Sequence, residues 1–216
     1  MLQTLLENGK KIGLFQVRNL KDLDTNNRIE AKVEVIDFDA IKCDIFKGFN
    51  KHSLGFDELK SCDGLKIIPE KKRLDFIELK GIEEFCFRHE DLSEEDATTA
   101  IYEQIDKFNL NDKIFHSLCI LTIIFQIKQI ALTKKQKKQF SDEITSEFIV
   151  VVDSKKDEAK GIGLMLETLA NNSDIKDQYL ITLRETLQGI EVLNIKNPKL
   201  MFQEEIDYYY HENMAQ

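Results

Sequence analysis

Residues 61–81, SCDGLKIIPEKKRLDFIELKG, decide the fold because they have the pattern of a β-hairpin. An apolar-rich strand is predicted over residues 62–68, and a second strand over residues 73–80. The polar residues 69–72 between them form the turn. Pro69 lies at the end of a strand, where its missing N–H donor does little harm. The hairpin therefore supplies two antiparallel strands from which the other elements can be placed.

Asp63, Glu78 and Lys80 are brought together by this hairpin. If the turn centres between Glu70 and Lys71, Asp63 lies directly opposite Glu78. Opposed residues of an antiparallel pair have Cβ atoms roughly 5 Å apart. Lys80 shares their face because side chains alternate along a strand. We therefore expect two carboxylates and one ammonium group on the same face of the sheet.

This arrangement predicts chemistry, because two close carboxylates repel each other unless a shared proton or a cation neutralises them. Mg²⁺ is commonly bound by one or two carboxylates together with water and phosphate oxygens. Beside such an ion, Lys80 could orient the attacking water and stabilise charge on a phosphate. The alternative is an ordinary surface strand in which Glu78 and Lys80 face water.

The clearest helix follows the hairpin, over residues 93–108. Ser93 has the pattern of its N-cap. Gln104 is the polar residue in an apolar stripe that also contains Ile101 and Phe108. A polar group in such a position should have a hydrogen-bonding role. The alternative is that Gln104 lies at the edge of the stripe and contacts solvent.

The rest of the chain has the patterns of both strands and helices. The first sixty residues read as strands with turns. The predicted elements are one or two strands over residues 28–45, a loop over 48–55, a helix from Asp112 to about residue 127, a buried strand over 147–153, helices over 158–170 and 175–188, a last strand over 189–195, and a helical start to the tail. This order predicts a mixed α/β domain with a central sheet.

The chain length and charge limit the possible functions. The 216 residues suit a single domain, with a motif-bearing core at about 28–153 and a C-terminal extension at about 154–216. A net charge of −9 argues against binding nucleic acid by bulk charge, but a local basic groove stays open. Residues 134–138, KKQKK, are the one dense basic run, and they also suit a solvated helix face.

Cysteine usage and hydropathy indicate the compartment. The four cysteines lack CxxC spacing, which favours reduced thiols and excludes a zinc-finger pattern. No segment has the pattern of a signal peptide or of a bilayer span. We therefore expect a cytoplasmic protein that does not contact a membrane.

The CDG and FIELKG segments, followed by a helix with Gln104, resemble the PD-(D/E)XK nuclease superfamily, which has the restriction-endonuclease-like fold. The resemblance implies a mixed central sheet flanked by helices, with a mostly helical C-terminal part. It implies that Asp63 and Glu78 bind Mg²⁺ or Mn²⁺, with the backbone carbonyl of Leu79 as a further ligand. Lys80 is the implied catalytic lysine, and Gln104 is implied to lie near the site.

Two features depart from the pattern of this superfamily. Cys62 stands where many members have proline. The acidic residue that an upstream helix usually supplies has no clear counterpart, which leaves the number of metal ions open. The candidates for this position are Glu7, Glu30, Glu34, Asp44 and His52.

The resemblance implies an endonuclease that hydrolyses DNA, in preference to RNA, in genome defence, restriction or repair. The acidic composition indicates that substrate access is restricted or that a protein partner or a homo-oligomer contributes to binding. The alternative is a catalytically inactive module on the same fold that acts in protein–protein binding or assembly. The missing upstream acid favours the alternative, and the intact Asp63, Glu78 and Lys80 disfavour it. An enzyme acting on small molecules has no cofactor motif to support it.

Overall fold

The computed structural model describes residues 1–26, 28–47, 59–155, 175–192, 195 and 198–212. The predicted loop over residues 48–55 and the predicted helix over residues 158–170 lie outside the described residues.

Six strands form one mixed sheet, and their order in the sheet follows their order in the chain. The first four strands pair antiparallel, and the last two add in parallel. The strands are β1 (Val17–Asn19), β2 (Glu34–Asp37), β3 (Gly64–Ile68), β4 (Arg73–Lys80), β5 (Thr145–Val152) and β6 (Lys199–Phe202). The prediction of an α/β fold with a mixed central sheet is confirmed.

Helices flank this sheet. The described α-helices are α1 (Leu2–Lys11), α2 (Phe38–Phe46), α3 (Glu83–Arg88), α4 (Glu94–Lys107), α5 (Leu110–Ile124), α6 (Lys134–Glu143), α7 (Ile175–Gln188) and α8 (Gln203–Glu212). Single 3₁₀ turns occur at Leu20–Asp22, Pro69–Lys71 and Lys128–Ile130. No described helix is long and apolar enough to cross a membrane.

The two faces of the sheet bury separate apolar clusters. On one face, side chains such as Phe76 and Val150 pack against α1, α2, α4, α5 and α7. On the other face, Ile77 and Ile149 pack in a cluster that includes Ile206 of α8. The central strands are therefore covered on both sides, as their continuous apolar runs require.

The predicted hairpin is confirmed, including its register. Gly64 pairs with Ile77 and Leu65 pairs with Phe76, as a turn centred between Glu70 and Lys71 demands. The helices predicted after Ser93, near Asp112 and over residues 175–188 are also present, as is the buried strand β5.

The prediction that the first sixty residues are strands with turns is wrong in two places. Residues Leu2–Lys11 form helix α1, which buries Leu2, Leu5 and Gly9 at helical spacing. Of the one or two strands predicted over residues 28–45, a strand forms only at Glu34–Asp37. It ends at Asp37, whose carboxylate accepts a hydrogen bond from the Ala40 N–H at 2.8 Å. This bond makes Asp37 the N-cap of α2, so a helix replaces the rest of the predicted strand.

The last strand was predicted over residues 189–195 but forms at Lys199–Phe202, after Pro198. Gly189 and Ile190 donate their N–H groups back to carbonyls of α7. They therefore continue the end of the helix instead of starting a strand. Ile195 makes one isolated parallel bridge to Ser146.

Candidate functional site

The hairpin places Asp63 and Glu78 at the same end of β3 and β4. Asp63 directly precedes β3, and its Oδ2 accepts a hydrogen bond from the Leu79 N–H at 2.6 Å. The carbonyl of a residue in a strand leaves the backbone on the same side as its N–H. The Leu79 carbonyl is therefore directed toward Asp63 as well. The resemblance implies that it lies there, as a further metal ligand.

Glu78 is fully buried, with 0% of its surface exposed. Its Oε1 accepts from the Lys80 ammonium at 2.5 Å and from the Lys113 ammonium, also at 2.5 Å. Its Oε2 has no hydrogen-bond partner among the described residues. A buried carboxylate oxygen without a partner is costly, so this atom marks the place where a further positive group would fit.

The ionised form of Asp63 is unfavourable in this site. Burial and the charge of Glu78 raise the pKa of Asp63 from 3.8 to about 7. The ammonium groups of Lys113 and Lys80 act in the opposite direction and do not overcome this effect. The site would therefore gain by binding either a proton or a metal cation.

Lys80 is held between the carboxylate and an aromatic ring. Its ammonium lies over the ring of Phe108, 4.7 Å from the centroid. Its side chain is 13% exposed, so it lies at the border between the buried Glu78 and solvent. The contact with Phe108 fixes the ammonium at the rim of the site.

Lys113 is the site residue that sequence reasoning missed. It lies on α5, in the first turns of the helix, and 21% of its side chain is exposed. Glu78 and Asp63 raise the pKa of Lys113 despite its burial, so it carries a positive charge. One sequence signal could have revealed it: Lys113 occupies the helical stripe that continues through Ser117, Ile120 and Ile124, all of which are buried.

Two hydrogen bonds fix α5 against the segment that leads into β3. The Lys60 N–H donates to Nδ1 of His116 at 3.1 Å. The Cys62 N–H donates to Oγ of Ser117 at 2.9 Å. Because Lys113 precedes Ser117 by one helical turn, these bonds set the position from which its ammonium reaches Glu78.

Cys62 is buried beside the site, but its thiol is inert. Burial and the charge of Glu78 raise the pKa of Cys62 well above its ordinary value. A protonated thiol is neither a nucleophile nor a metal ligand, so Cys62 serves packing.

Gln104 lies beside the site and makes no described contact with Asp63, Glu78 or Lys80. It is half-buried on α4 and lines a polar pocket of about 430 Å³ together with Gly81 and Lys107. Gly81 follows Lys80 directly, so the pocket adjoins the site. The predicted proximity of Gln104 is thus to the end of β4, and its predicted catalytic role stays a prediction.

The candidates for the upstream acid lie elsewhere. Glu7, Glu30, Glu34 and Asp44 are exposed, and none has a described contact with Asp63 or Glu78. His52 lies outside the described residues. Asp37, which ends β2 beside Gly64, is buried, but its carboxylate is used by the Ala40 N–H and by Arg18.

A second buried carboxylate, Asp75, provides a contrast with Glu78. Asp75 lies on the opposite face of β4 and is also 0% exposed. Arg73 Nε lies 2.8 Å from its Oδ1, and the Tyr210 hydroxyl donates to its Oδ2 at 2.8 Å. Like Oε2 of Glu78, Oδ1 of Asp75 has no partner in hydrogen-bond geometry among the described residues. The difference is that a guanidinium lies beside Oδ1 of Asp75, whereas both ion pairs of Glu78 are made by its Oε1.

Asp63 and Glu78 fit a hard divalent cation, although they are only two carboxylates. Among the described residues, no group of three or more His, Cys, Asp or Glu side chains is arranged to hold a metal ion. Mg²⁺ needs no such group, because it keeps several waters and binds through one or two carboxylates and substrate phosphates. The Glu78 oxygen without a partner and the nearby Asp63 carboxylate fit Mg²⁺ or Mn²⁺.

Comparison with known proteins identifies no relative of this chain. No family model matches it, and neither a curated protein nor a solved structure matches it at a significant level.

Proposed function

We propose that this protein is a metal-dependent nuclease of the PD-(D/E)XK type, with a restriction-endonuclease-like fold, that hydrolyses phosphodiester bonds of DNA. The observation that carries the proposal is Glu78: a fully buried carboxylate, close to Asp63 and bonded to Lys80, that keeps one oxygen without a partner among the described residues. A buried carboxylate oxygen without a partner is costly, and a bound cation would supply the missing partner.

The roles of the residues follow from their positions. Asp63 and Glu78 would hold the cation, and the Leu79 carbonyl, directed to the same side, would add a ligand. Lys80 lies at the rim of the site, where its ammonium can orient water and stabilise charge on a phosphate. When bound, Mg²⁺ or Mn²⁺ would supply an activated water and screen the phosphate charge.

A second candidate function is a catalytically inactive module of the same fold that binds a protein partner. One observation favours it: two lysines already balance the charge of Glu78 without any metal ion. The unpartnered Oε2 and the pKa of Asp63 argue against it, because a purely structural cluster would be better compensated.

Cleavage of plasmid and oligonucleotide DNA with MnCl₂ or MgCl₂ tests the proposal. We expect Glu78→Gln and Lys80→Met to lower the rate of cleavage by at least about 100-fold, because each removes a group that acts on the charge in the transition state. Single-stranded RNA in a parallel assay distinguishes the two substrates.

Two matched controls are Lys72, in the turn of the hairpin, and Glu143, at the end of α6. Glu143 and Lys72 form an exposed ion pair, so Glu143→Gln and Lys72→Met change the charge identically away from the site. Both should cleave at the wild-type rate. Equal activity in the site variants and in these controls would indicate a contaminating nuclease and would reject the proposed function, leaving the inactive module.

A further inference from the structure

We propose that Lys113 is the resident counter-ion of Glu78, holding this carboxylate in place in the metal-free protein and competing with the divalent cation for it. This inference rests on the proposed metal-dependent function. It assigns to Lys113 a positioning role that the hairpin motif alone does not contain.

The ammonium groups already occupy the carboxylate that a divalent cation would bind. Lys80 and Lys113 both bond the same oxygen of Glu78 at 2.5 Å, so this oxygen is saturated by positive charge. A divalent cation near Glu78 must either share the carboxylate with both ammonium groups or displace one of them. A divalent cation on Glu78 would lie close to the two ammonium groups, and positive charges repel strongly in a partly buried site.

Lys113 is the lysine whose position is set from outside the hairpin. Lys80 is on β4 itself, two residues from Glu78, and it remains there whatever α5 does. Lys113 reaches Glu78 from a helix that is attached to the lead into β3 by His116 and Ser117. The position of α5 therefore controls how much positive charge Glu78 meets.

No other described cation contacts Glu78. Lys60 also contacts the start of α5, where its ammonium pairs with Asp112 at 3.3 Å. Lys60 thus has the same charge and a similar place in the fold, but its partner is a different carboxylate. This makes Lys60→Met a matched control for Lys113→Met.

Titration of the metal-free protein with MnCl₂ by calorimetry measures the competition. We expect Lys113→Met to bind Mn²⁺ about tenfold more tightly than the wild type or better, since the competing charge is gone. Lys60→Met should change the affinity by less than about threefold, because exposed charges are screened. Lys113→Arg should stay close to the wild type, and Asp63→Asn in the Lys113→Met background should abolish binding.

Urea unfolding in EDTA tests the positioning role without any metal ion. Lys113→Met should lower the midpoint of unfolding, because Glu78 loses one of its two partners. The same substitution should lower it much less in the Glu78→Gln background, since contacting residues are not additive. Equal shifts in the two backgrounds would refute the assignment of Lys113 to Glu78.

The outcomes separate the two proposals. Equal or weaker Mn²⁺ affinity in Lys113→Met than in the wild type overturns the competition and leaves the nuclease function intact. Tight binding in Lys113→Met with none in the wild type supports the competition. If neither protein binds Mn²⁺, both the competition and the metal-dependent function are rejected, whereas the unfolding cycle still decides whether Lys113 positions Glu78.

Discussion

The carboxylates of Glu78 and Asp63 differ in the charged partners that they contact. Glu78 is buried, and two ammonium groups contact one of its oxygens. Among the described residues, the Asp63 carboxylate accepts a hydrogen bond from one backbone N–H, at 2.6 Å, and it faces the charge of Glu78. Burying a charge without a full complement of partners is unfavourable, and Asp63 responds through its raised pKa.

The pKa of Asp63 predicts how stability depends on pH in the metal-free protein. Its folded-state pKa of about 7 lies above the ordinary value of 3.8. A raised pKa means that the folded state binds the proton more tightly, so the contribution to stability is complete below pH 4 and is lost as the pH rises toward 7. We expect the free energy of unfolding of the wild type, minus that of Asp63→Asn, to fall between pH 4 and pH 7.

Urea unfolding in EDTA across this pH range measures the difference. Subtracting Asp63→Asn removes the contributions of the other groups that titrate there, such as Asp75, whose pKa is raised to about 6. A difference that stays constant, or that grows with pH, would mean that burial and Glu78 do not raise the pKa of Asp63.

The sequence predicts the site residues that share one hairpin and misses the one that does not. Asp63, Glu78 and Lys80 follow from the length of a turn and the alternation of side chains. Lys113 is brought to Glu78 by the packing of α5 on the sheet, which no local rule specifies. Its place in an apolar stripe was a visible signal, but a lysine there also suits an exposed helix edge.

At the scale of the elements, α5 and the lead into β3 form a unit that holds the site together. Ser117 is 0% exposed and accepts the Cys62 N–H, so it fixes the helix one turn after Lys113. Removing the hydroxyl leaves a buried N–H without its partner.

We expect Ser117→Ala to lower the free energy of unfolding by about 1–3 kcal/mol, the cost of an unsatisfied buried donor. Thr122→Ala is the matched control, because Thr122 is exposed on the same helix and bonds only the Leu118 carbonyl within it. The control should change stability by no more than about 0.5 kcal/mol. Equal effects in chemical denaturation would show that the bond from Cys62 contributes nothing specific.

The boundaries of elements were hardest to predict where a cap overrides a pattern. Residues 28–45 contain β-branched and alternating residues, yet the chain turns into α2 at Asp37 because its side chain caps the helix. Near the C-terminal end of α7, Ile190 and Val192 suit a strand by composition, but Gly189 and Ile190 still bond to the helix. In both places one or two hydrogen bonds outweigh a propensity that is weak by itself.

For the whole molecule, the parallel strands β5 and β6 connect the C-terminal part of the chain to the hairpin. The pairing of β4 with β5 runs over eight residue pairs, from Arg73–Thr145 to Lys80–Val152. The apolar run of β5 predicts that it is a strand, but it does not predict which strand pairs with it. The order of the sheet is therefore a result of the structure alone.

A substitution in helix α8 can show whether the C-terminal part of the chain unfolds cooperatively with the site. Ile206 is 0% exposed and packs with Ile77 and Ile149 beneath the central strands. We expect Ile206→Ala to lower the free energy of unfolding by about 2–5 kcal/mol, because it leaves a cavity under β4 and β5. Tyr208→Ala, at a position 62% exposed on the same helix, should change it far less.

The decisive measurement is whether α8 and the site unfold together. If the chain is one cooperative unit, far-UV circular dichroism and tyrosine fluorescence should report the same midpoint in Ile206→Ala, and that midpoint should be lower than in the wild type. If Asp63 and Glu78 bind the metal as proposed, MnCl₂ should stabilise this variant as much as the wild type, because it would bind only the native state. Two separate transitions, with the metal affecting only one of them, would show that α8 is an independent attachment to the sheet that carries the site.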